Sequence, residues 1–339
     1  LRRGYFHQKE GWDVKAVWYE RFGPAKEVLC VGEMDVPQPG PGEVLVRVRA
    51  TAVNPSDVKL RAGARPGAVM EYPRIIPHSD GAGVIEAVGG GVDPARIGAR
   101  VWLWNAGWQR AFGTAAEYVA LPSEQACDLP EAASFEEGAC LGIPAMTAWY
   151  ALFGDGAELA GRTVLVTGGA GSVGRYACQM ATLAGARVIA TVSSAQKARH
   201  STAESWVNYR DADVAGAVLE LTDGAGVDRI VDVDFGMNQP VALKLIKPGG
   251  VISAYASAGK MQPELSFYPF MFKNVTLRML IAYLISPQDH MRGEAQLAEW
   301  LRAGRLSHAV VQGGDLGQIA QAHDLVAQGA KLGTVVLSV

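Results

Sequence analysis

Three glycines spaced three residues apart, Gly168, Gly171 and Gly174, are the residues of this chain best suited to chemistry. They follow a short apolar run at residues 164–166 and precede a segment typical of a helix at residues 175–181. In such a turn the backbone amides and the helix N-terminus present donors and partial positive charge to an anion. Glycines let the backbone approach the phosphates of a dinucleotide closely. The pattern therefore predicts a dinucleotide site, with a nicotinamide dinucleotide favoured, formed by the three glycines together with Ser172 and Val173.

The elements around this turn predict an α/β fold. Further segments typical of strands occur at residues 187–192, 227–233 and 250–255, and a helical stretch at 239–246 precedes the last of them. Strands that alternate with helices in this way form a doubly wound parallel sheet. The alternative is a tight turn in an unrelated α/β protein.

The end of the second predicted strand bears on the choice of nicotinamide cofactor. NAD enzymes usually place Asp or Glu there to hold the ribose hydroxyls. This chain has Ser193 and Ser194 instead, followed by Lys197 and Arg199. Hydroxyls and a lysine can bind the additional phosphate of NADPH, and one charge-assisted hydrogen bond contributes roughly 1.5–3 kcal/mol. The sequence thus favours NADPH, although Lys197 and Arg199 can also be read as solvated surface charges.

Length and composition limit the class of protein. With 339 residues, two domains are expected. A net charge of −3 gives no reason to expect nucleic acid or an anionic membrane as partner, and no apolar run is long enough to span a bilayer. The four cysteines are scattered without a CxxC pair, and the first residues lack the apolar core of a secretory signal, so we expect a cytoplasmic protein.

The order of predicted elements divides the chain. Residues 1–13 are expected to form a loose extension. A β-rich lobe with strands at 14–19, 43–49, 83–89 and 99–103 should follow and extend to residue 134. Ser134 and Glu137 fit a capping box, which starts a helix expected to run to Phe153 and opens the second domain, residues 135–284. Residues 285–339, with a helix at 291–302 and a last strand at 333–337, are expected to complete the first lobe.

Several motifs, taken in order, match a known family. They lie at residues 53–57 (Val-Asn-Pro-Ser-Asp), 79–89, 142–148, the glycine turn, and 208–210 (Asn-Tyr-Arg). The chain resembles the zinc-independent quinone oxidoreductases of the medium-chain dehydrogenase/reductase superfamily, which include zeta-crystallin. The resemblance implies a GroES-like substrate domain, a Rossmann domain and NADPH as cofactor. It also implies a homodimer or homotetramer built by pairing the edges of two Rossmann sheets.

The resemblance also bears on metal binding. Alcohol dehydrogenases of this superfamily hold a catalytic zinc through a cysteine and a histidine where this chain has Asn54 and Ser79. Neither is a usual zinc ligand, so we expect no metal. The neighbouring His78 is a weaker candidate ligand, since a lone histidine is more often structural. Without a Lewis acid, electron-poor acceptors such as quinones and conjugated enones are favoured over simple alcohols.

The same resemblance assigns site residues. It places Asn54 and Thr147 beside the nicotinamide as the catalytic candidates, and Lys197 and Tyr209 beside the additional phosphate. Asn54 can also be read as a turn residue before Pro55, Thr147 as a helix threonine bonded to its own backbone, and Tyr209 as a packed aromatic residue. Asp57 is expected to fix the turn rather than to act as an acid.

The substrate side departs from the family pattern. Where relatives carry quinone-stacking tyrosines, this chain has Lys59 and Arg65, which indicates either a solvent-facing surface or an anionic substrate. Tyr72 and Trp102 are the candidate aromatic lining. The leading function is an NADPH-dependent reductase of a small-molecule electron acceptor, a quinone or a related conjugated carbonyl. The alternatives are a 2-enoyl thioester reductase, for which Tyr72 is a weak candidate proton donor, and a non-catalytic NADPH-binding protein.

Overall fold

The computed structural model describes residues 13–64, 67–329 and 331–339, which form two compact units. The first unit lies within residues 1–140, 312–330 and 335–339, and the second comprises residues 141–311 and 331–334. Most of the predicted N-terminal extension and the predicted substrate residue Arg65 lie outside the described residues. Asp13, assigned to that extension, already belongs to the first strand.

The first unit is built mainly of antiparallel strands. Strand β3 (Glu43–Val53) is central in its sheet, because it pairs with three other strands, and its residues Val44, Val46 and Val48 are all buried. Up to residue 140 the elements are β1 (Asp13–Trp18), α1 (Ala25–Val28), β2 (Cys30–Asp35), β3 (Glu43–Val53), α2 (Pro55–Arg61), β4 (Asp80–Val88), β5 (Arg100–Leu103), β6 (Tyr118–Pro122), β7 (Ala126–Asp128) and α3 (Phe135–Gly138).

The second unit contains a six-stranded sheet in which every recorded pair is parallel. Its elements are α4 (Met146–Phe153), β8 (Thr163–Val166), α5 (Ser172–Leu183), β9 (Arg187–Val192), α6 (Ala195–Ser201), β10 (Ser205–Asn208), α7 (Val214–Leu221), β11 (Val227–Asp232), α8 (Phe235–Leu245), β12 (Ile246–Ala254), α9 (Phe267–Phe272), β13 (Thr276–Met279) and α10 (Pro287–Arg302). The strand order β10-β9-β8-β11-β12-β13 confirms the doubly wound prediction and places the topological switch point at β8.

The end of the chain supplies three further elements, β14 (Val310–Asp315), α11 (Ile319–Ala327) and β15 (Thr334–Ser338). β15 pairs antiparallel with β3, with Val335 opposite Val53 and Leu337 opposite Thr51. The resulting seven-stranded sheet has the order β14-β15-β3-β4-β5-β7, and β6 also pairs with β3. The predicted return of the last strand to the β-rich lobe is therefore confirmed.

The predicted single helix over residues 135–153 is wrong. The capping box is present, since Ser134 Oγ accepts from the Glu137 N–H, but α3 ends at Gly138. A π-helical turn over Leu141–Ala145 precedes α4 and contains Pro144. Proline has no N–H to donate and its ring clashes with the carbonyl four residues earlier, which widens the turn. The N-terminal part of the first unit extends to Cys140, whereas we predicted residue 134.

Residues 285–311 belong to the second unit, whereas we predicted that they complete the first. The reason lies in the packing of α10 on α4. The Trp149 indole N–H donates to Gln296 Oε1 over 2.6 Å, and the rings of Phe153 and Trp300 lie 6.2 Å apart. Gly293 permits this approach, because a Cβ there would lie 2.6 Å from Met146 Cε.

No helix among the described residues is long and apolar enough to cross a membrane.

Candidate functional site

The glycine turn lies at the carboxyl end of β8, at the switch point of the parallel sheet. Gly168 has a φ of +64°, and its N–H donates to Thr191 Oγ1 over 3.2 Å. A Cβ on Gly174 would lie 2.3 Å from the Gly168 carbonyl oxygen, so α5 can start this close to the turn only with glycine at position 174. Thr191 was missed in the sequence, where nothing pairs it with a glycine 23 residues away.

Helix α5 begins directly after this turn, with Gly171 as its N-cap and Ser172 as its first residue. Helical hydrogen bonding begins at Arg175, whose N–H donates to the Gly171 carbonyl over 2.9 Å. The amides of Ser172, Val173 and Gly174 precede that bond and therefore lack a helical acceptor. Together with the helix dipole they form a site for an anion, and the diphosphate of a dinucleotide fits the cradle that the glycines leave open.

The structure brings the four predicted phosphate contacts together at the end of β9. Ser193 directly follows the strand and is buried. Ser194 caps α6, its Oγ accepting from the Lys197 N–H over 3.3 Å. The Tyr209 N–H donates to the Val192 carbonyl over 3.0 Å, which places that residue beside the same strand end. The Tyr209 side chain is 49% exposed and is not a core aromatic residue.

The second unit contains a cavity of about 470 Å³ that adjoins the glycine turn at Gly168. Gly168, Thr191 and Tyr209 line it on the side of β8 and β9, and α7 and α8 contribute apolar side chains such as Val214 and Val241. A cavity lined by both apolar side chains and a few polar groups suits the adenosine part of a dinucleotide.

Asp232, at the end of β11, also lines this cavity and was missed in the sequence. Its Oδ1 accepts from Thr167 Oγ1 over 3.0 Å, from Asn238 Nδ2 over 2.8 Å and from the Asp234 N–H over 2.9 Å. Burial raises the pKa of this carboxyl, although the three hydrogen bonds oppose the shift. Asp232 therefore fixes the loop that follows β11 at the cavity wall.

In the first unit, two carboxylates hold Asn54. Its backbone N–H donates to Asp57 Oδ2 over 2.7 Å, so the expectation that Asp57 fixes the turn is confirmed. Its side-chain Nδ2 donates to Asp80 Oδ2 over 2.8 Å. An ionised carboxylate only accepts hydrogen bonds, and this sets the orientation of the buried Asn54 amide. Asp80 was missed in the sequence as a partner.

The residues at the two former zinc positions do not fit a metal. Asn54 is held by Asp80, and Ser79 offers a neutral hydroxyl in place of the thiolate or imidazole that zinc prefers. The two ring nitrogens of His78 contact Thr51 Oγ1 at 2.9 Å and His323 Nε2 at 3.0 Å. Among the described residues, no group of three or more His, Cys, Asp or Glu side chains is placed to hold a metal ion.

The remaining predicted residues are distributed over both units. Thr147 is buried in α4 of the second unit, and its role beside the nicotinamide stays a prediction. Lys59 is exposed on α2. The Tyr72 hydroxyl donates to the Gln109 carbonyl over 2.7 Å. Trp102 is only 2% exposed, which is typical of a core residue, so its position lends no support to a role in lining a substrate pocket.

Comparison with known proteins agrees with this architecture. The family described as alcohol dehydrogenase GroES-like domain matches residues 40–131, and the family described as zinc-binding dehydrogenase matches residues 172–300. A quinone oxidoreductase of Pseudomonas aeruginosa is 30% identical over 336 residues, covering 95% of this chain and 99% of the relative. A 2-haloacrylate reductase of a Burkholderia species is 29% identical over 333 residues, covering 95% and 98%.

Among solved structures, the mycobacterial protein Rv1454c complexed with NADPH matches with a TM-score of 0.84 and 29% identity. The match covers 96% of this chain and all of that one (100%).

Proposed function

This chain belongs to the quinone oxidoreductases of the medium-chain dehydrogenase/reductase superfamily, and from this premise we propose its function. It is an NADPH-dependent oxidoreductase that delivers hydride to quinones or related conjugated carbonyls without a metal. The relatives named quinone oxidoreductase support the acceptor class, and the NADPH complex of a similar structure supports the cofactor.

One observation supports the choice of NADPH most directly. The end of β9 lies beside the glycine turn and carries Ser193 and Ser194, with Lys197 one helical turn further on. A carboxylate at this point would repel the additional phosphate of NADPH, whereas hydroxyls and an ammonium group bind it. The Tyr209 backbone is bonded to the same strand end, and its hydroxyl is a further candidate donor to that phosphate.

The residues of this chain would then bind and orient while the cofactor supplies hydride. The glycine turn and the first amides of α5 hold the diphosphate, and the cavity lined by Thr191 and Asp232 takes the adenosine part. Asn54 and Thr147 are proposed to orient the nicotinamide ring. Because Asn54 and Ser79 do not form a zinc site, polarisation of the acceptor by a metal has no part in this proposal.

The test is oxidation of NADPH with benzoquinone, naphthoquinone, a simple enone and an enoyl thioester as acceptors. We expect turnover with quinones or enones and a preference for NADPH over NADH. Turnover with the thioester alone would replace this proposal by the enoyl thioester reductase. Saturable NADPH binding without any turnover would favour a non-catalytic binding protein.

A second acceptor class is favoured by one surface feature. Lys59 is exposed on α2, the helix capped by Asn54, and it stands where relatives carry an aromatic residue. A relative with 29% identity is named 2-haloacrylate reductase, and a haloacrylate is a conjugated carboxylate. An anionic conjugated acid is therefore the second candidate acceptor, and acrylates belong in the panel.

We also propose a homo-oligomer formed through β13. This strand lies at the edge of the parallel sheet, where unpaired backbone groups are a template for pairing with another strand. Large apolar side chains around it are exposed, including Met279 (75%), Tyr268 (65%) and Phe272 (80%). Such a concentration of apolar surface is typical of an interface.

We propose the cytoplasm as the location of this protein. Its four cysteines are all free thiols, which agrees with a reducing compartment.

A further inference from the structure

The glycine turn is contacted by a short segment from near the end of the chain, residues 331–334, which belongs to the second unit. The Lys331 ammonium contacts Ser172 Oγ at 3.2 Å and the Gly333 carbonyl oxygen at 2.6 Å. The Ser172 hydroxyl itself donates to the Gly333 carbonyl over 2.9 Å. These contacts place a lysine charge against the first residue of α5.

Apolar packing fixes this segment in place. Leu332 packs against a small cluster that includes Ala170 in the glycine turn, Val192 at the end of β9 and Ala198 in α6. A Cβ on Gly333 would lie 2.1 Å from the Ala309 carbonyl oxygen, so the backbone runs closely along its neighbour. The Lys331 charge is therefore held on a defined backbone next to the anion-binding turn.

Two further cations follow the turn in the chain, Arg175 and Lys197, and they occupy other positions. Arg175, in the first turn of α5, donates to the His200 carbonyl and, over 2.6 Å, to Ser307 Oγ. Lys197 lies in α6 and follows the end of β9, where the additional phosphate of NADPH is expected. The Arg175 guanidinium is thus directed at His200 and Ser307, and Lys197 belongs to a different helix from the start of α5, where a diphosphate would lie. Lys331 is the lysine that contacts this point.

We propose that Lys331 is a cofactor-binding residue that neutralises charge on the diphosphate. The assignment rests on the proposed function, because it requires a dinucleotide at the glycine turn. A diphosphate carries two negative charges, and the amides of the turn supply only partial positive charge. An ammonium group beside Ser172 attracts those charges at short range, and ionic contacts of this kind are stronger than neutral hydrogen bonds. The diphosphate is common to NADPH and NADH, so Lys331 should act on both.

The test compares dissociation constants of NADPH and NADH, measured by nucleotide fluorescence, for the wild type and three lysine variants. Lys331→Met keeps the apolar stem and should raise the Kd of both nucleotides by about tenfold. Lys197→Met should raise the Kd of NADPH alone. Lys244→Met removes an exposed lysine on α8 and should leave both constants unchanged.

Two further measurements separate a charge contact from a structural role. Lys331→Arg should retain both Kd values within about threefold, since the charge is kept. The dependence of the Kd on KCl concentration should be weaker in Lys331→Met than in the wild type, because one cationic contact is lost. Thermal midpoints of the variants report any change in folding separately.

Distinct results overturn the assignment. Unchanged Kd values for both nucleotides in Lys331→Met would reject it while leaving the proposed function intact. A loss confined to NADPH would make Lys331 a contact of the additional phosphate and would equally reject it. Failure of the wild type to bind either nucleotide would reject the proposed function together with this assignment.

Discussion

At the scale of single residues, two carboxylates hold Asn54, one through its backbone amide and one through its side-chain amide. Asp57 Oδ2 accepts from its backbone and Asp80 Oδ2 from its side chain, at 2.7 and 2.8 Å. Both carboxylates are buried, so water does not compete with Asn54 for either of them. If Asn54 orients the nicotinamide, Asp80 acts through it as a positioning residue.

Asp80→Asn tests this arrangement with little change in shape. The substituted amide removes the charge and allows the two amides to pair in either orientation, so Asn54 loses its fixed direction. We expect kcat/KM for NADPH to fall about tenfold with a small change in thermal midpoint. Glu86→Gln, on the same strand but at the surface, is the matched control. Wild-type kinetics in Asp80→Asn would show that the contact does not serve the site.

The sequence predicted residues whose role follows from local pattern, and it missed those that depend on distant partners. The glycines, Ser193 and Ser194 were predicted as cofactor contacts because a strand, a turn and a helix adjoin them in the chain. The partners of the missed residues are 26 residues away for Asp80 and 159 away for Lys331. No local periodicity encodes such a pairing, which is established only when the chain folds.

At the scale of elements, the junction of β8 and α5 depends on one close backbone approach. Gly174→Ala would place a Cβ 2.3 Å from the Gly168 carbonyl oxygen, which is part of the backbone and cannot rotate away. We expect the turn to open, and the Kd of NADPH to rise by at least tenfold, because the first amides of α5 lose their alignment. Calorimetric titration with NADPH measures this change.

Gly90→Ala is the control for that substitution. An added Cβ at Gly90 meets no atom within 4 Å, and the residue lies in the first unit. Its Kd should match the wild type. Equal binding by Gly174→Ala and Gly90→Ala would contradict the placement of the diphosphate at this turn.

Element boundaries show where sequence patterns were insufficient. The predicted strands at residues 187–192 and 227–233 correspond closely to β9 (Arg187–Val192) and β11 (Val227–Asp232). β9 is almost continuously apolar, as buried parallel strands usually are, whereas charged residues interrupt β11. The helix predicted to reach Phe153 is instead divided around Pro144. The capping box indicated where a helix starts, but it carried no information on Pro144, which lies in the π-helical turn between α3 and α4.

At the scale of the whole molecule, a buried histidine pair couples stability to pH. Burial holds the pKa of His78 well below its usual range, and neighbouring His323 adds to the shift. Burial and the Arg61 charge lower the pKa of His323 to about 3. Between that value and the unfolded pKa near 6.5, the unfolded chain binds more protons, so stability falls as the pH decreases.

We expect the thermal midpoint of the wild type to fall between pH 7 and pH 5, before most carboxylates titrate. Each histidine contributes up to about 1.4 kcal/mol per pH unit in this range. His323→Gln removes one titrating group, so its midpoint should change less steeply with pH, as calorimetry at several pH values would show. Parallel pH profiles for both proteins would contradict the buried neutral pair.

The proposed oligomer has a direct test. Met279→Glu introduces a charge on the exposed edge strand β13, where burial against a second copy would require desolvation. We expect the oligomer to dissociate to a monomer in analytical ultracentrifugation. Val69→Glu, at a residue 73% exposed in the first unit, should leave the assembly unchanged. A wild-type monomer, or an oligomer unaffected by Met279→Glu, would contradict pairing through β13.

The proposed function depends most on the identity of the cofactor that binds at the glycine turn, and one ratio of dissociation constants measures it. The Kd of NADH divided by that of NADPH, determined for the wild type under identical salt conditions, reports the contribution of the additional phosphate. Contacts with Ser193, Ser194 and Lys197 predict a ratio of at least about ten, since a single charged hydrogen bond is sufficient for that difference. A ratio of one or below would contradict the account.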